Sequence, residues 1–163
     1  MEKILREPKG TEAVTDSPAV LEHLFQVEYP GMVRLAFTLV GSNAEAEDLV
    51  QDSFVEVSRR LDEIDKPGAY LRSAVVSRCR SALRRRRVMH QHPPEAPGSL
   101  TDDANELWDV LADLPEDQRI VVVLRYYGSY RSSEIAKIMD IPGATVRSHL
   151  RRGLATLRKD LGS

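Results

Sequence analysis

An all-α fold is predicted: two small helical domains joined by a flexible linker, the carboxy-terminal one a helix-turn-helix. Three observations carry the prediction. Apolar residues return at steps of three and four through Val50, Phe54, Val57, Leu61 and Ile64, and again through Val146, Leu150, Leu154 and Leu157, the spacing of one buried helical face. Between these regions Val88 to Asn105 loses the period and gathers three of the nine prolines, the composition of a linker. Near the end, Asp140-Ile141-Pro142-Gly143 stops one short amphipathic segment just before another begins, so two helices meet across a tight turn. The 163 residues thus divide into a loose leader at 1–17, a helical domain at 18–88, a linker at 89–105 and a helix-turn-helix domain at 106–163.

In the first domain, Val20, Leu21, Leu24, Phe25 and Val27, and beyond Pro30 Met32, Val33, Leu35, Ala36, Phe37, Leu39 and Val40, predict two helices meeting near Tyr29-Pro30. Gly41 ends the second, and Ser42-Asn43-Ala44-Glu45 has the form of a capping box opening the next. That helix sets a core side against an acidic side carrying Glu45, Asp48, Gln51, Asp52 and Glu56. Asp65-Lys66-Pro67-Gly68 breaks it. A fourth helix follows from about Ala69, with Leu71, Val75, Cys79 and Ala82 inward. Its outer faces carry Arg72, Arg78, Arg80 and the run from Arg84 to Arg87, which repels itself unless an anion lies alongside; a phosphate-contacting helix end gives Arg80 and Arg84 a purpose that a solvated charge run does not.

The second domain opens with a helix from Glu106 to Asp113 and another from Leu114-Pro115-Glu116 through Val121, Val122, Leu124 and Tyr127, stopped by Gly128. In the helix-turn-helix that follows, Ser132 or Ser133 caps the first helix, Ala136 permits close crossing, and Gly143 supplies the unusual backbone angle of the turn. Thr145, Arg147, Ser148, His149, Arg151 and Arg152 face outward on the second helix, a set suited to guanine edges and phosphates in a major groove.

A formal charge of −2 averages over strong segregation: Ser42 to Asp65 holds eight acids against two basic residues, and Arg78 to Arg87 holds six arginines and no acid. A DNA binder with so large an acidic surface uses that surface for something other than DNA. Cys79, the only cysteine, excludes an intrachain disulfide and fits a reducing cytoplasm as a packed core thiol. His90 and His92 in the linker lack the oriented partners of a metal site, so no metal or cofactor is expected. No apolar core of signal-peptide length and no run of about 18 apolar residues occurs, so no contact with a membrane is predicted.

Read in order, AEAEDLVQDSFVEV at Ala44 to Val57, an irregular linker, and LPEDQRIVVVLRYYGSYRSSEIAKIMDIPGATVRSHLRRGLATLRKDL resemble the extracytoplasmic-function (ECF) group of bacterial RNA polymerase sigma factors. The resemblance implies that Asp48, Gln51, Asp52 and Phe54 lie at the helix that docks on core RNA polymerase. It places the loop from Asp62 to Ala69, with Tyr70, Arg72 and Ser73, beside the melted minus-ten promoter element, and gives Thr145, Arg147, Ser148, Arg151 and Arg152 the minus-thirty-five element. It also implies an anti-sigma factor as controlling partner, since the chain ends at Ser163 with no added regulatory domain. Departures from the family pattern are Asp140 where Gly is common, Gly143-Ala144, and His149.

The alternative is a stand-alone helix-turn-helix transcription regulator, because TVRSHLRR also resembles the recognition helix of response-regulator output domains. Such a protein needs a sensory half, and the amino-terminal half shows neither alternating strands and helices nor a phosphoacceptor loop. No Gly-rich phosphate loop, metal cluster or nucleophile-base pair points to an enzyme.

Overall fold

The computed structural model describes residues 12–89 and 108–162, with side chains from Ser17 onward. Among them there are helices and turns and no strand. The leader at Met1 to Gly10, His90, His92 and most of the expected linker lie outside the described residues.

Helix α1 spans Glu12–Val40 without interruption, although Pro18 and Pro30 lie inside it. Here the structure corrects two expectations: the helix begins within the stretch read as a loose leader, and the predicted pair meeting at Tyr29-Pro30 is one helix. An interior proline costs a helix about 3 kcal/mol. Against that, Leu24, Met32, Leu35, Ala36 and Leu39 form one buried stripe that stays in phase across Pro30, and a break would bury only part of it. Gly41, at φ +78°, ends α1 in the left-handed region, with its N–H donating to Phe37 O at 2.8 Å.

Helix α2, Asn43–Arg59, is capped by Ser42, whose Oγ accepts from Glu45 N at 3.2 Å. Only this half of the capping box forms. The Glu45 carboxylate instead accepts from Arg86 Nη2 at 2.7 Å, where a guanidinium replaces a backbone donor as partner. A 3₁₀ turn at Leu61–Glu63 leads to α3, Pro67–Val88, with Pro67 at its first turn. All the apolar positions expected of these two helices are buried, but the helix read as running on to Ile64 ends at Arg59, so Leu61 is buried from the 3₁₀ turn and Ile64 from the extended residue after it; α3 buries Tyr70, Ala74, Val76 and Leu83 besides. It is covered on more than one side because α1 and α2 pack on it and so do helices of the other half.

In the carboxy-terminal half, residues 108–112 make a short helical turn, and then come α4, Glu116–Tyr126, α5, Ser132–Met139, and α6, Gly143–Leu161. Neither Ser132 nor Ser133 caps α5: Arg131 holds the cap position, and its backbone N–H donates to Glu134 Oε1 at 3.2 Å. The left-handed residue of the turn is Asp140, φ 54° and ψ 50°, rather than Gly143, which begins α6 behind Pro142. Proline fixes its own φ and favours extended backbone at Ile141, so the reversal falls earlier, on the residue that closes α5. An L-residue there is strained by about 1 kcal/mol. We expect Asp140→Gly to raise the free energy of unfolding by about 0.5–1 kcal/mol, measured by urea denaturation, with α6 unchanged by circular dichroism.

The halves do not stand apart. Packing of α3 on α4 and α5, and of α1 on α4, merges the apolar residues of both into one cluster reaching from Leu24 to Val146. The spacing that a linker alone would leave undefined is set by this seam.

Candidate nucleic-acid and partner interfaces

On α2, Asp48, Gln51 and Asp52 are exposed, and the two aspartates have no ion pair among the described residues. Phe54, predicted with them, is buried at 7% exposure. It is covered by Phe25, edge-on at 5.3 Å, and by Tyr29 at 5.9 Å, which stack on each other at 4.5 Å. Tyr29 Oη also accepts from Gln51 Nε2 at 3.4 Å. Phe54 therefore anchors the acidic face to α1, and half-exposed Phe25 becomes an apolar edge of that face. The sequence showed Phe25 as one more apolar position; only the crossing of α1 and α2 brings it onto Phe54 and stacks it on Tyr29, the partner of Gln51.

At the start of α3, Tyr70 is buried, and its hydroxyl accepts from Arg60 Nη1 at 2.6 Å while the guanidinium lies 5.4 Å from the ring centroid. Glu63, accepting from Arg60 Nε at 3.3 Å, and then Tyr70 push the Arg60 pKa above its ordinary value. Arg60 was not foreseen, since ten residues separate it from the tyrosine it holds. Arg72, half-buried, pairs with Glu28 at 3.3 Å, and Ser73 is half-buried beside it in sequence.

The arginine run does meet anions, and they are the protein's own. Arg80 makes a bidentate pair with Asp117, Nε to Oδ1 and Nη2 to Oδ2 both at 2.8 Å. Arg78 reaches Glu56 at 3.5 Å, Arg86 reaches Glu45, and Arg87 reaches Glu116 at 3.1 Å. Arg84 and Arg85 remain exposed. Cys79 is fully buried among them in sequence, and burial, with Glu45 adding to it, pushes its thiol up to about 12, the state of a core group rather than a ligand.

On α6, Val146 is fully buried while Arg147, Arg151 and Arg152 are exposed; Thr145, Ser148 and His149 are half-buried along the edge of the same face. The charged part of the predicted recognition surface is thus open, and α5 supports it through buried Ile135 and Met139. Gly153 lets α6 approach α4 closely, since a Cβ there would lie 2.8 Å from Val122 Cγ2. No group of three His, Cys, Asp or Glu among the described residues is placed to hold a metal ion. No described helix is long and apolar enough to cross a membrane.

Residues 24–88 match the family described as Sigma-70 region 2, and residues 104–157 the family described as Sigma-70, region 4. An RNA polymerase sigma-E factor of Streptomyces avermitilis is 32% identical over 152 residues, covering 87% of this chain and 85% of the relative. The ECF RNA polymerase sigma factor SigW of Bacillus subtilis is 26% identical over 152 residues, covering 78% of this chain and 81% of that one. Among solved structures, the sigma factor RpoE in complex with the anti-sigma factor NepR from Bartonella quintana superposes with a TM-score of 0.73 at 22% identity, over 86% of this chain and 96% of that chain, a likeness of fold.

Proposed function

This chain belongs to the ECF group of sigma-70 factors, and on that premise we propose how its surfaces divide the work of promoter-specific initiation. It binds core RNA polymerase and directs it to promoters. In our reading the face of α2 with Asp48, Gln51 and Asp52 docks on the polymerase, and Phe54 holds that face at a fixed pitch against α1. The start of α3, with Tyr70, Arg72 and Ser73, lies beside the melted minus-ten element, and Arg80 and Arg84, towards the other end of that helix, contact promoter phosphates. Helix α6 reads the minus-thirty-five duplex through Thr145, Arg147, Ser148, Arg151 and Arg152, arginines to guanine edges and phosphates. The polymerase supplies the chemistry, no cofactor is needed, and the work is done in the cytoplasm. Control by an anti-sigma factor is supported by the relative solved with one.

The observation that carries this reading is the presence on one chain of an unpaired acidic face followed by an open basic recognition helix. A stand-alone regulator has use for the second and none for the first. Reconstituted transcription tests it: core enzyme with this chain should initiate at promoters that core alone ignores, and initiation at none across a genomic template would overturn it. We further expect Asp52→Arg to weaken core binding about tenfold or more, because a reversed charge at a complementary surface repels. Its stability should move by no more than about 0.5 kcal/mol, as for most exposed sites. Pull-down and circular dichroism read the two effects separately.

A further inference from the structure

Tyr70, Ser73, Ser77, Arg80, Arg84 and Arg87 follow one another along α3 at steps of three and four, so they form a single stripe of that helix. Two of its three arginines are covered by carboxylates from the first turn of α4: Asp117 holds Arg80 by two hydrogen bonds of 2.8 Å, and Glu116 meets Arg87 at 3.1 Å. The Arg80 pair is the shielded one, its two side chains 21% and 27% exposed, whereas Arg87 is 66% exposed above a Glu116 that is 13% exposed, so the mask is tightest at Arg80. A planar guanidinium presents the same fork to a carboxylate as to a phosphate, so an acid that fills it occupies the place a nucleic-acid backbone would take.

The acids are held there by the seam. Arg119, on the next turn of α4, donates from Nη1 to Leu39 O of α1 at 3.1 Å, and Trp108 packs on Gly41 with its ring 6.5 Å from Phe37. These contacts fix the start of α4 against the end of α1, and thereby Glu116 and Asp117 over the arginine stripe.

We propose that this packing is a self-masked state, in which Glu116 and Asp117 of α4 stand in for DNA phosphates at Arg80 and Arg87, so that nucleic acid and the closed seam compete for one stripe of α3. The proposal rests on the assignment of Arg80 to the promoter backbone made above. Competition is reciprocal: whatever binds the stripe must open the seam, and whatever loosens the seam must raise affinity for nucleic acid by the same factor. Polymerase, by docking the two halves separately, would lift the mask. Anions in bulk do so weakly, because a half-buried bidentate pair is little screened by salt.

Two measurements on the full-length chain test this. A fluorescein-labelled single-stranded oligonucleotide of mixed sequence should bind Asp117→Asn about tenfold more tightly than the unmutated chain at equal salt, and Arg80→Ala added to Asp117→Asn should erase the gain. Equal affinity of Asp117→Asn and the unmutated chain overturns the masking. Independently of any variant, saturating oligonucleotide should red-shift the emission of Trp108, the only tryptophan, as the seam opens. An unshifted emission at saturation overturns the competition. The underlying assignment fails separately: if Arg80→Ala holoenzyme binds promoter DNA as tightly as unmutated holoenzyme, Arg80 does not contact the promoter, whatever the seam does.

Discussion

Arg119→Met should lower the free energy of unfolding by about 4 kcal/mol, because it leaves three backbone carbonyls without donors in the interior. Arg119 is 6% exposed. Its Nη1 donates to Leu39 O at 3.1 Å and its Nη2 to Ala112 O at 2.7 Å and Leu114 O at 3.2 Å. Leu39 lies in the last turn of α1, where carbonyls have no intrahelical partner and carry the negative end of the helix dipole. Arg86 serves the neighbouring Val40 O at 3.0 Å, so two arginines from different helices close one helix end. Burial opposes this: it pulls the Arg119 pKa down, Arg86 pulls the same way, and Glu116 and Asp113 only partly offset them. Methionine relieves that desolvation and fits the space, yet donates nothing. Arg119→Lys should recover part of the loss, since a cation remains near the α1 terminus, though one ammonium cannot span acceptors on two sides of the seam. Urea denaturation followed by circular dichroism and by Trp108 emission measures both, and a loss below about 1 kcal/mol for Arg119→Met would show that water replaces the guanidinium.

Arg119 also marks where the sequence stops being informative. The apolar stripes of α2 and α3 were legible because each helix's period is local: Val50, Phe54 and Val57, like Leu71, Val75, Cys79 and Ala82, declare a buried face whatever packs on it. The additional buried set on α3, Tyr70, Ala74, Val76 and Leu83, declares nothing until a second half is laid against it. Arginine is ordinarily exposed, and the one of its three carbonyl partners that ties Arg119 to the other half, Leu39 O, lies eighty residues earlier, so no window of sequence pairs them. The candidate surfaces divide in the same way. Exposed Asp48, Asp52, Arg147, Arg151 and Arg152 followed from helical phase alone. That Arg80 is held by Asp117, Tyr70 by Arg60 and Phe54 by Phe25 depended on partners set by tertiary packing. The turn failed for a different reason: glycine is the usual bearer of a positive φ, yet Pro142 shifted that strain onto Asp140.

Gly41→Ala should cost about 3 kcal/mol, and most of it should come from across the seam. The backbone part is small: alanine at the φ of +78° found there is strained by about 1–2 kcal/mol. The rest arises because a Cβ at residue 41 would overlap the ring of Trp108, which is 5% exposed and stacked against Phe37. A rigid indole has no local escape, so it must leave its site, giving up about 1.5–2 kcal/mol of apolar burial. Trp108 emission should then shift red in a chain whose helix content is preserved, since Gly41 and Trp108 join the two halves and neither forms the core of one. A double-mutant cycle separates the two parts. With Trp108→Ala already in place, Gly41→Ala should cost only the backbone term, so the coupling between the sites should be about 1.5–2 kcal/mol. Zero coupling would mean that the ring moves aside freely and that the seam does not depend on the absence of a side chain at Gly41. Full coupling makes the single glycine after α1 a condition of the closed packing, and with it of the placement of Glu116 and Asp117 over the arginines of α3.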